Sequence, residues 1–294
     1  MQNLKVGPGA HGSYLGSRGS YTYADAVIIG APMDYTASFR PGSRMGPGII
    51  REMSEVLETY SPYLEGDLKD VALFDNGDLE LVFGNAKKSL EIIYDAAERV
   101  FADGKLPIFL GGEHLISLPV IKAAYNKYGS ELVLFHFDAH SDLREEYMGE
   151  GLSHATVIRR CMDFMEGSSI YQFGIRSGLG EEFRLGRQRT NFYPFQITGP
   201  LEAAVIEIGD RPLYVTLDID VVDPAYAPGT GTPEPGGCTS MEILRAAHIF
   251  GGCNLIGMDI VEVMGYGDPA GTTGVLAAKI IREVLIAVSK GKRR

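Results

Sequence analysis

The sequence predicts an α/β fold in which helices cover both faces of a mainly parallel β-sheet. Short apolar runs without charge, such as residues 26–30 and 213–217, alternate with longer segments whose apolar residues recur at helical spacing. Such uninterrupted apolar runs are typical of strands that are buried on both faces of a parallel sheet. No linker, shift in composition or internal repeat divides the chain. We therefore expect a single domain over residues 1–294.

Eight apolar segments predict the strands of this sheet. In chain order they are residues 26–30, 71–75, 107–110, 132–135, 170–174, about 190–195, 213–218 and 255–259. A Gly-Pro-Gly turn at residues 46–48 opens the first predicted helix, and Gly104 ends the second. The predicted helices cover residues 46–58, about 90–101, 117–127, a segment from about 154, 240–250 and 273–289. Residues 1–20 and 31–48 are rich in Gly, Ser or Pro and are predicted loops.

Composition restricts the partners of the chain. The formal net charge is −11, and the only basic cluster is the short C-terminal tail. This argues against nucleic acid or an anionic membrane surface as a partner and suits a small cationic substrate. The N-terminus has no apolar core, and no segment approaches the roughly 20 apolar residues of a membrane helix. Three cysteines without metal-type spacing predict reduced thiols in a cytoplasmic protein.

Polar residues of one kind follow four of the predicted strands. Asp138, His140 and Asp142 occupy every second position after an apolar run, and a strand would direct them to one face. Asp218 and Asp220 have the same spacing. His114 follows the third strand, and the last strand runs through Asp259 to Glu262. The C-terminal ends of parallel strands share one edge of the sheet, so these groups are expected to converge there.

Two imidazoles and four carboxylates in one place predict a metal centre. The six residues are His114, Asp138, His140, Asp142, Asp218 and Asp220. The set is too anionic for a single zinc ion, which prefers four mainly nitrogen and sulfur ligands. It suits two hard divalent cations, with Mn²⁺ the natural choice for mixed oxygen and nitrogen ligands. Two such ions about 3.5–4 Å apart can share a water and lower its pKa. A single Asp-x-His-x-Asp run could equally be a salt-bridged turn, so the prediction rests on the combination.

For several polar residues, a structural role is the better explanation than a functional one when each residue is considered alone. His136 lies inside a predicted strand and is interpreted as a packed core residue rather than a ligand. His154 follows Ser153 at a predicted helix start. Asp223 precedes a Gly/Pro-rich loop and is typical of a turn. Arg40 and Arg44 are interpreted as members of surface salt bridges.

Three motifs together resemble a known family. Gly-Gly-Glu-His at 111–114, Phe-Asp-Ala-His-Ser-Asp at 137–142 and the Asp-Ile-Asp-containing segment 217–237 resemble the signatures of the arginase/agmatinase (ureohydrolase) family. The resemblance covers essentially the whole chain. It implies a three-layer α/β/α sandwich around an eight-stranded, mostly parallel sheet. It also implies two Mn²⁺ per subunit, hydrolysis of guanidino compounds to urea and an amine, and assembly into homo-trimers or hexamers.

The resemblance further implies a role for each site residue. Asp138 and Asp218 would bridge the two ions. One ion would also be held by His114 and Asp142, and the other by His140 and Asp220. Three further roles are catalytic: Asp142 would hydrogen-bond the bridging hydroxide, His154 resembles the family's proton shuttle, and Glu262 resembles the carboxylate that pairs with the substrate guanidinium.

The loops around the predicted site resemble agmatinases more than arginases. Residues 143–147 replace the arginase loop that holds the substrate carboxylate, and residues 174–182 offer no Asp for its amino group. Glu182 looks like an agmatinase substrate-binding residue. Agmatine carries a distal ammonium and no carboxylate, which suits an acidic chain. The resemblance therefore implies cleavage of agmatine to putrescine and urea, a step of polyamine biosynthesis.

Alternatives to agmatine hydrolysis remain open. Residues 263–269 depart from the Ser-Pro-containing segment that agmatinases more often have, so guanidinobutyrate, guanidinopropionate or arginine are alternative substrates. A dinuclear phosphoesterase would need cationic groups for phosphate, and the charge balance disfavours it. A non-catalytic homologue would be expected to have lost metal ligands, and the six-residue set is intact.

Overall fold

A computed structural model describes residues 12–17 and 19–291. Its centre is a sheet of eight strands that all pair in parallel, in the order β4-β1-β5-β10-β9-β6-β7-β8. A separate antiparallel pair, β2 and β3, lies outside this sheet. The strands are β1 Ala26–Ala31, β2 Tyr60–Ser61, β3 Gly66–Asp67, β4 Leu73–Asp78, β5 Leu106–Gly111, β6 Val133–Phe137, β7 Ile170–Phe173, β8 Asn191–Tyr193, β9 Leu213–Asp218 and β10 Leu255–Val261.

Helices form a layer on each side of the sheet. They are α1 Gly46–Ser54, α2 Ala86–Ala102, α3 Ser117–Tyr128, α4 Val157–Cys161, α5 Gly180–Arg189, α6 Thr198–Ile208, α7 Ser240–Gly251 and α8 Thr272–Gly291. Apolar residues of α1, α6, α7 and α8 belong to one buried cluster. Those of α2, α3 and α4 belong to a second. Along β1, Ile28 faces the first cluster and Val27 and Ile29 face the second. The predicted three-layer α/β/α sandwich with an eight-stranded parallel sheet is confirmed.

Two helices were not predicted, and both lie between β7 and β9. Helix α5 is mostly polar and contains Gly186, so its apolar stripe is weak. Helix α6 has Pro200 in its first turn, where proline is tolerated although the segment has the appearance of a loop. The predicted N-terminal loop lies largely outside the described residues. The predicted loop 31–48 is shorter than expected, because α1 begins within it at Gly46.

Two composition-based predictions can be compared with the structure. No helix in the described parts of the chain is both long enough and apolar enough to cross a bilayer. Cys161, Cys238 and Cys253 are all free thiols, as predicted, and Cys161 is buried.

The strand order places the polar strand ends side by side. Strands β5, β10, β9 and β6 are consecutive neighbours at the centre of the sheet, although β5 and β10 are separated by more than a hundred residues of chain. These are the four strands whose C-terminal ends precede His114, Glu262, Asp218 and Asp138. The topology therefore collects the predicted site residues at one edge of the sheet, where open parallel sheets bind their ligands.

Candidate active site

A cavity of about 200 Å³ opens at this edge of the sheet. Nine residues were predicted to form the site, and eight of them line the cavity: His114, Asp138, His140, Asp142, His154, Glu182, Asp218 and Glu262. The ninth, Asp220, is buried, and its Oδ2 lies 2.9 Å from Nδ1 of His140. The structure thus brings together residues that are up to 148 positions apart in the sequence.

The loop after β6 holds three of these side chains. Strand β6 ends at Phe137, so Asp138, His140 and Asp142 lie beyond it. The prediction that they leave one face of a continuing strand is therefore wrong. Asp142 has a φ of 50°, in the left-handed region that side chains seldom adopt, and this turn redirects its carboxylate. The three groups converge through loop geometry rather than through strand periodicity.

The end of β9 differs from the prediction in the same way. The strand stops at Asp218, and residues Ile219–Val221 form a 3₁₀ turn. The Asp218 carboxylate caps this turn by accepting a hydrogen bond from the backbone N–H of Asp220, at 2.9 Å. The Asp220 carboxylate accepts one from the backbone N–H of Ala139, at 3.0 Å, which ties it to the β6 loop. Both carboxylates are fixed by backbone donors.

The Gly-Gly sequence before His114 permits close approach of two neighbouring segments. A Cβ on Gly112 would lie 2.0 Å from the carbonyl oxygen of Met33, so only glycine fits. The carbonyl of Gly112 in turn accepts a hydrogen bond from the backbone N–H of Glu262, at 2.8 Å. Glu262 Oε1 accepts one from the backbone N–H of His114, also at 2.8 Å. Like Asp142, Glu262 has a left-handed backbone, with φ of 62°; such strain costs on the order of 1–3 kcal/mol and clusters at functional sites.

Carboxylate oxygens surround one nitrogen of His114. Its Nδ1 lies 2.9 Å from Asp138 Oδ2, 3.1 Å from Asp142 Oδ2 and 3.6 Å from Asp218 Oδ2. Despite these short distances, neither His114 Nδ1 nor Asp142 Oδ2 makes a hydrogen bond to a described residue, and both atoms are buried. Buried polar atoms without partners are costly and rare. Atoms of this kind, converging on one point, can be satisfied by a cation.

A chain of hydrogen bonds behind His114 explains why Nδ1 faces the carboxylates. The Thr216 hydroxyl donates its single proton to Asp259 Oδ1, at 2.6 Å. It can therefore only accept at the contact with His114 Nε2, which is 2.9 Å long. This assigns the ring proton to Nε2 and leaves a lone pair on Nδ1. Asp259, which was named only as part of its strand, also accepts from Ser117 and Tyr214.

His136 is fully buried, as predicted for a core residue. It also contacts the site, which was not predicted. Its Nδ1 accepts a hydrogen bond from Gln172 Nε2 at 3.1 Å, and its Nε2 donates to Asp138 Oδ2 at 2.9 Å. His136 thus orients a carboxylate of the cluster.

The groups with potential ligand atoms form two overlapping sets. One comprises His114, His136, Asp138 and Asp142, and the other Asp138, His140 and Asp220. Asp138 belongs to both sets, which is the arrangement expected of a carboxylate shared by two cations. Asp218 lies next to the first set through its contact with His114. The cluster can therefore hold divalent metal, and its oxygen-rich composition suits a hard cation.

Burial and crowding of negative charge raise the pKa of two acids of the cavity, Asp218 and Glu262. Burial, with the nearby Asp220 and Asp138, raises the pKa of Asp218 well above its ordinary range. Burial and the neighbouring Glu113 raise the pKa of Glu262 to about 8. Each shift reflects charge that is removed from water without full compensation. A bound cation would supply that compensation.

The pKa values of two imidazoles of the cluster, His114 and His140, are also raised. Burial opposes their charged form, but contacts with carboxylates outweigh it. The Asp138 and Asp142 contacts hold the pKa of His114 well above its ordinary range. Asp220 and Asp138 raise the pKa of His140 to about 12. Both shifts reflect the excess of negative charge around the rings, which a bound cation would otherwise compensate.

These shifts predict how metal and pH act together on stability. A group whose pKa is raised by folding stabilises the fold below its ordinary pKa and loses that contribution as pH rises through the folded pKa. For Glu262 this window runs from 4.5 to about 8. We expect chelator-treated protein to lose thermal stability across this window and added divalent cation to raise the melting temperature by an amount that grows with pH. Scanning calorimetry at pH 5, 6.5 and 8 measures this; a pH-independent increment would contradict it.

His154 also lines the cavity, at the start of a 3₁₀ turn capped by Ser153. Burial lowers the pKa of its imidazole below the ordinary value. Its backbone N–H donates to Thr36 Oγ1 at 3.1 Å, and its Nδ1 lies 3.3 Å from the same oxygen. The ring is thus fixed by a residue 118 positions away, and no sequence motif identifies that residue.

Glu182 lines the cavity but is engaged by the protein itself. Its Oε1 accepts from the Ser141 hydroxyl and its Oε2 from the backbone N–H of Leu179, each at 2.7 Å. The Arg144 guanidinium lies 3.4 Å from Oε2 and also lines the cavity. Direct substrate binding by Glu182 stays a prediction, and any negative charge that it offers is shared with Arg144.

The remaining polar predictions have mixed outcomes. Asp223 is a turn residue as predicted, because its carboxylate accepts from the backbone N–H groups of Ala225, Gly236 and Gly237. Arg44 forms the predicted salt bridge, with Asp34 at 2.8 Å. For Arg40 the prediction is wrong: its guanidinium lies over the exposed rings of Phe39 and Tyr266, with no ion pair to a described residue. Flanking aromatic faces, rather than a carboxylate, stabilise this cation.

Comparisons with known proteins agree with the geometry. A model of the arginase family matches residues 24–287. The chain belongs to the arginase family. It is 47% identical over 280 residues to an agmatinase of Bacillus subtilis, covering 94% of this chain and 96% of that one. It is 36% identical to a guanidinobutyrase of Pseudomonas aeruginosa, covering 92% and 88%.

A solved structure shares the fold of this arginase-family chain. The agmatine ureohydrolase of Thermoplasma volcanium superposes with a TM-score of 0.88 at 32% identity, covering 96% of this chain and 95% of that one. The predicted family membership is confirmed, and so is the prediction that the chain is a hydrolase.

Proposed function

We propose that this protein is a dinuclear manganese enzyme that hydrolyses agmatine to putrescine and urea. The observation that carries the proposal is a single cavity in which a cation-binding cluster faces Glu262 and His154. The cluster accounts for activation of water, and the two other residues account for binding of a guanidinium and delivery of a proton. Similarity to agmatinases supports the choice of substrate.

The donor set fits two metal ions. We assign one ion to His114, Asp138, Asp142 and Asp218, and the other to Asp138, His140, Asp218 and Asp220. The unpartnered buried atoms, His114 Nδ1 and Asp142 Oδ2, are among these donors. When bound, the two Mn²⁺ would lower the pKa of a shared water and stabilise negative charge that develops during the reaction.

Glu262 positions the substrate guanidinium. Its Oε1 accepts a hydrogen bond from the backbone N–H of His114, whose side chain belongs to the metal cluster. Its Oε2 makes no hydrogen bond to a described residue and is free to accept from a substrate N–H. A guanidinium is planar and cationic, so a carboxylate fixes both its position and its plane. The central carbon is thereby held against the attacking water, which makes the attack effectively intramolecular.

Proton transfer completes the reaction. The water oxygen forms a bond to the guanidinium carbon, and the bond from that carbon to the aminobutyl nitrogen breaks. One proton of the water passes to Asp142, whose Oδ2 has no other partner among the described residues. Asp142 passes this proton to the departing nitrogen. His154 carries the second proton of the water, which remains on the newly formed urea, to the same nitrogen, so that putrescine leaves as an ammonium ion and neutral urea remains. Burial lowers the pKa of the His154 imidazole, so the ring is neutral at neutral pH and releases a proton that it takes up to the more basic amine.

One observation favours a second candidate substrate. Arg144 lines the cavity beside Glu182 and lies 4.6 Å over the ring of Tyr147. A guanidinium there could accept the carboxylate tail of a guanidino acid such as guanidinobutyrate. Glu182 partly neutralises Arg144, and this favours agmatine. Replacement of Arg144 by Gln should raise the ratio of agmatine to guanidinobutyrate turnover if the cation contacts the tail.

The chain of hydrogen bonds behind His114 predicts a graded effect on metal affinity. Thr216→Val removes the oxygen that accepts from His114 Nε2 while preserving side-chain shape. Partners of this kind typically contribute about 10–100-fold in metal affinity. We therefore expect Mn²⁺ binding, measured by calorimetric titration, to weaken by that factor. Thr239→Val removes a helix-capping hydroxyl whose hydrogen bonds are made with Glu242 and should leave affinity unchanged. Equal weakening in both variants would contradict the assignment.

Product balance tests the proposed reaction. Protein loaded with Mn²⁺ and supplied with agmatine should release urea and putrescine in equal amounts, and chelator should abolish both. Urea without putrescine, or turnover that persists in chelator, would contradict the proposal.

We further propose that the protein works in the cytoplasm as a homo-trimer or hexamer in polyamine biosynthesis. Three free thiols are consistent with a reducing compartment. Large exposed apolar side chains, including Phe83 at 85% and Ile206 at 83% exposure, are consistent with contacts between subunits. Light scattering on the purified protein measures the assembly directly.

A further inference from the structure

We infer that Thr36 is a positioning residue that holds the His154 imidazole through Nδ1, so that Nε2 is the nitrogen that exchanges protons in the cavity. The inference rests on the proposed function of His154 as a proton carrier and extends it to a residue in the loop after β1. Thr36 does not line the cavity and touches no residue of the metal cluster.

Thr36 makes two contacts with His154. Its Oγ1 accepts a hydrogen bond from the His154 backbone N–H at 3.1 Å and lies 3.3 Å from His154 Nδ1. Both the main chain and the ring are therefore held by one oxygen. The Tyr147 ring packs against the His154 imidazole in a T-shaped contact, with ring centroids 5.5 Å apart. The imidazole is enclosed on two sides, and its Nε2 makes no hydrogen bond to a described residue.

Glu113 determines the direction of the Thr36 hydroxyl. Its Oε2 accepts the Thr36 hydroxyl proton at 2.7 Å and the Thr36 backbone N–H at 2.8 Å. Glu113 is fully buried, and its other oxygen has no partner among the described residues. Because a hydroxyl has one proton, Thr36 Oγ1 can only accept from His154. The ring proton is therefore on Nδ1, and Nε2 carries the lone pair.

The opposite tautomer has one competing donor. The Ser153 hydroxyl lies 3.4 Å from His154 Nδ1, a longer contact than that of Thr36. If Ser153 donated to Nδ1, the ring proton would be on Nε2, and the nitrogen facing the cavity could not accept a proton. Because the Thr36 hydroxyl proton is donated to Glu113, this state would place lone pairs of Thr36 Oγ1 and His154 Nδ1 against each other at 3.3 Å, which favours the tautomer that the proton relay requires.

Kinetics of Thr36 variants test the positioning role. In Thr36→Val we expect kcat for agmatine to fall about 10–100-fold, which is part of the roughly 10²–10⁴-fold that a positioned general acid or base contributes. KM should change by less than about twofold and Mn²⁺ content should stay the same, since Thr36 makes no hydrogen bond to Glu262 or to a described residue of the metal cluster. Thr36→Ser restores the hydroxyl and should recover most of kcat. Thr239→Val serves as the matched control. An unchanged kcat in Thr36→Val, or no recovery in Thr36→Ser, would overturn the inference.

A spectroscopic measurement keeps the inference testable if Thr36→Val does not fold. Metal-free wild-type protein labelled with ¹⁵N-histidine is recorded by NMR, and the His154 signals are identified by their loss in His154→Asn. We expect protonated Nδ1 and unprotonated Nε2; the reverse would overturn the inference. This readout does not depend on turnover. Wild-type protein that shows the expected tautomer but releases no urea would refute the proposed function and leave the positioning of His154 standing.

Discussion

Replacing Asp218 by Asn is expected to lower urea release from agmatine by about three orders of magnitude or more. Asp218 lies in the cavity and is assigned to both metal ions, and loss of a bridging carboxylate removes several kcal/mol of charge stabilisation. Metal analysis should show less than two Mn²⁺ per subunit. Steady-state urea assays at saturating Mn²⁺ give the rate.

In the metal-free protein, the same substitution should preserve or raise the stability of the fold. Burial and nearby carboxylates raise the pKa of Asp218, so its ionised form is unfavourable at neutral pH. An amide removes this charge and can still accept from the Asp220 backbone N–H. Chelator-treated Asp218→Asn should therefore melt at or above the wild-type temperature. Asp210→Asn, at an exposed position before β9, is the matched control and should match wild type in both assays. An inactive variant that is also less stable without metal would indicate general misfolding instead.

Glu262→Gln is expected to lower kcat/KM for agmatine by about 100-fold or more while two Mn²⁺ per subunit are retained. The amide oxygen can keep the hydrogen bond from the His114 backbone N–H, so the local fold is preserved. The amide nitrogen then replaces Oε2, and its N–H groups face the N–H groups of the guanidinium, so no hydrogen bond can form between them. Loss of one member of a desolvated charged pair typically costs about 2–5 kcal/mol, and most of this should appear in substrate binding.

Metal content separates this role from the alternative. Glu202→Gln, at an exposed position on α6, provides a control for the same chemical change. If Glu262→Gln loses Mn²⁺ together with activity, then Glu262 supports the metal cluster rather than the substrate. If KM and kcat are both unchanged, the assignment of the guanidinium site is wrong.

The parallel sheet could be predicted from sequence because its strands are buried on both faces. The central strands are mostly apolar, and β9 and β6 end where the polar site residues begin. The four predicted strand ends could be assigned to one edge without knowledge of the strand order, because parallel strands share their direction. The order β5-β10-β9-β6 itself depends on long-range pairing, which leaves no local pattern. The extent of the domain, residues 1–294, stays a prediction.

The supporting residues of the site could not be predicted in the same way. Thr36 and Thr216 are neutral hydroxyl residues, and such residues occur throughout any chain. Their significance comes from contacts with His154 and His114, which are 118 and 102 positions away. The backbone turn at Asp142 was also hidden, since an Asp in the left-handed region has no signature beyond its residue type. Motif spacing identified the groups that carry charge, whereas the groups that orient them required coordinates.

The most direct test of the proposed function is urea release by Mn²⁺-loaded protein offered agmatine, arginine and guanidinobutyrate in parallel assays. We predict rapid urea release from agmatine and little from the other two, since the cavity contains the metal cluster and Glu262 while Glu182 offsets the charge of Arg144. Preferential release from guanidinobutyrate or arginine would contradict the proposed substrate and leave the metal chemistry intact. No urea from any of the three would contradict the assignment of ureohydrolase activity itself.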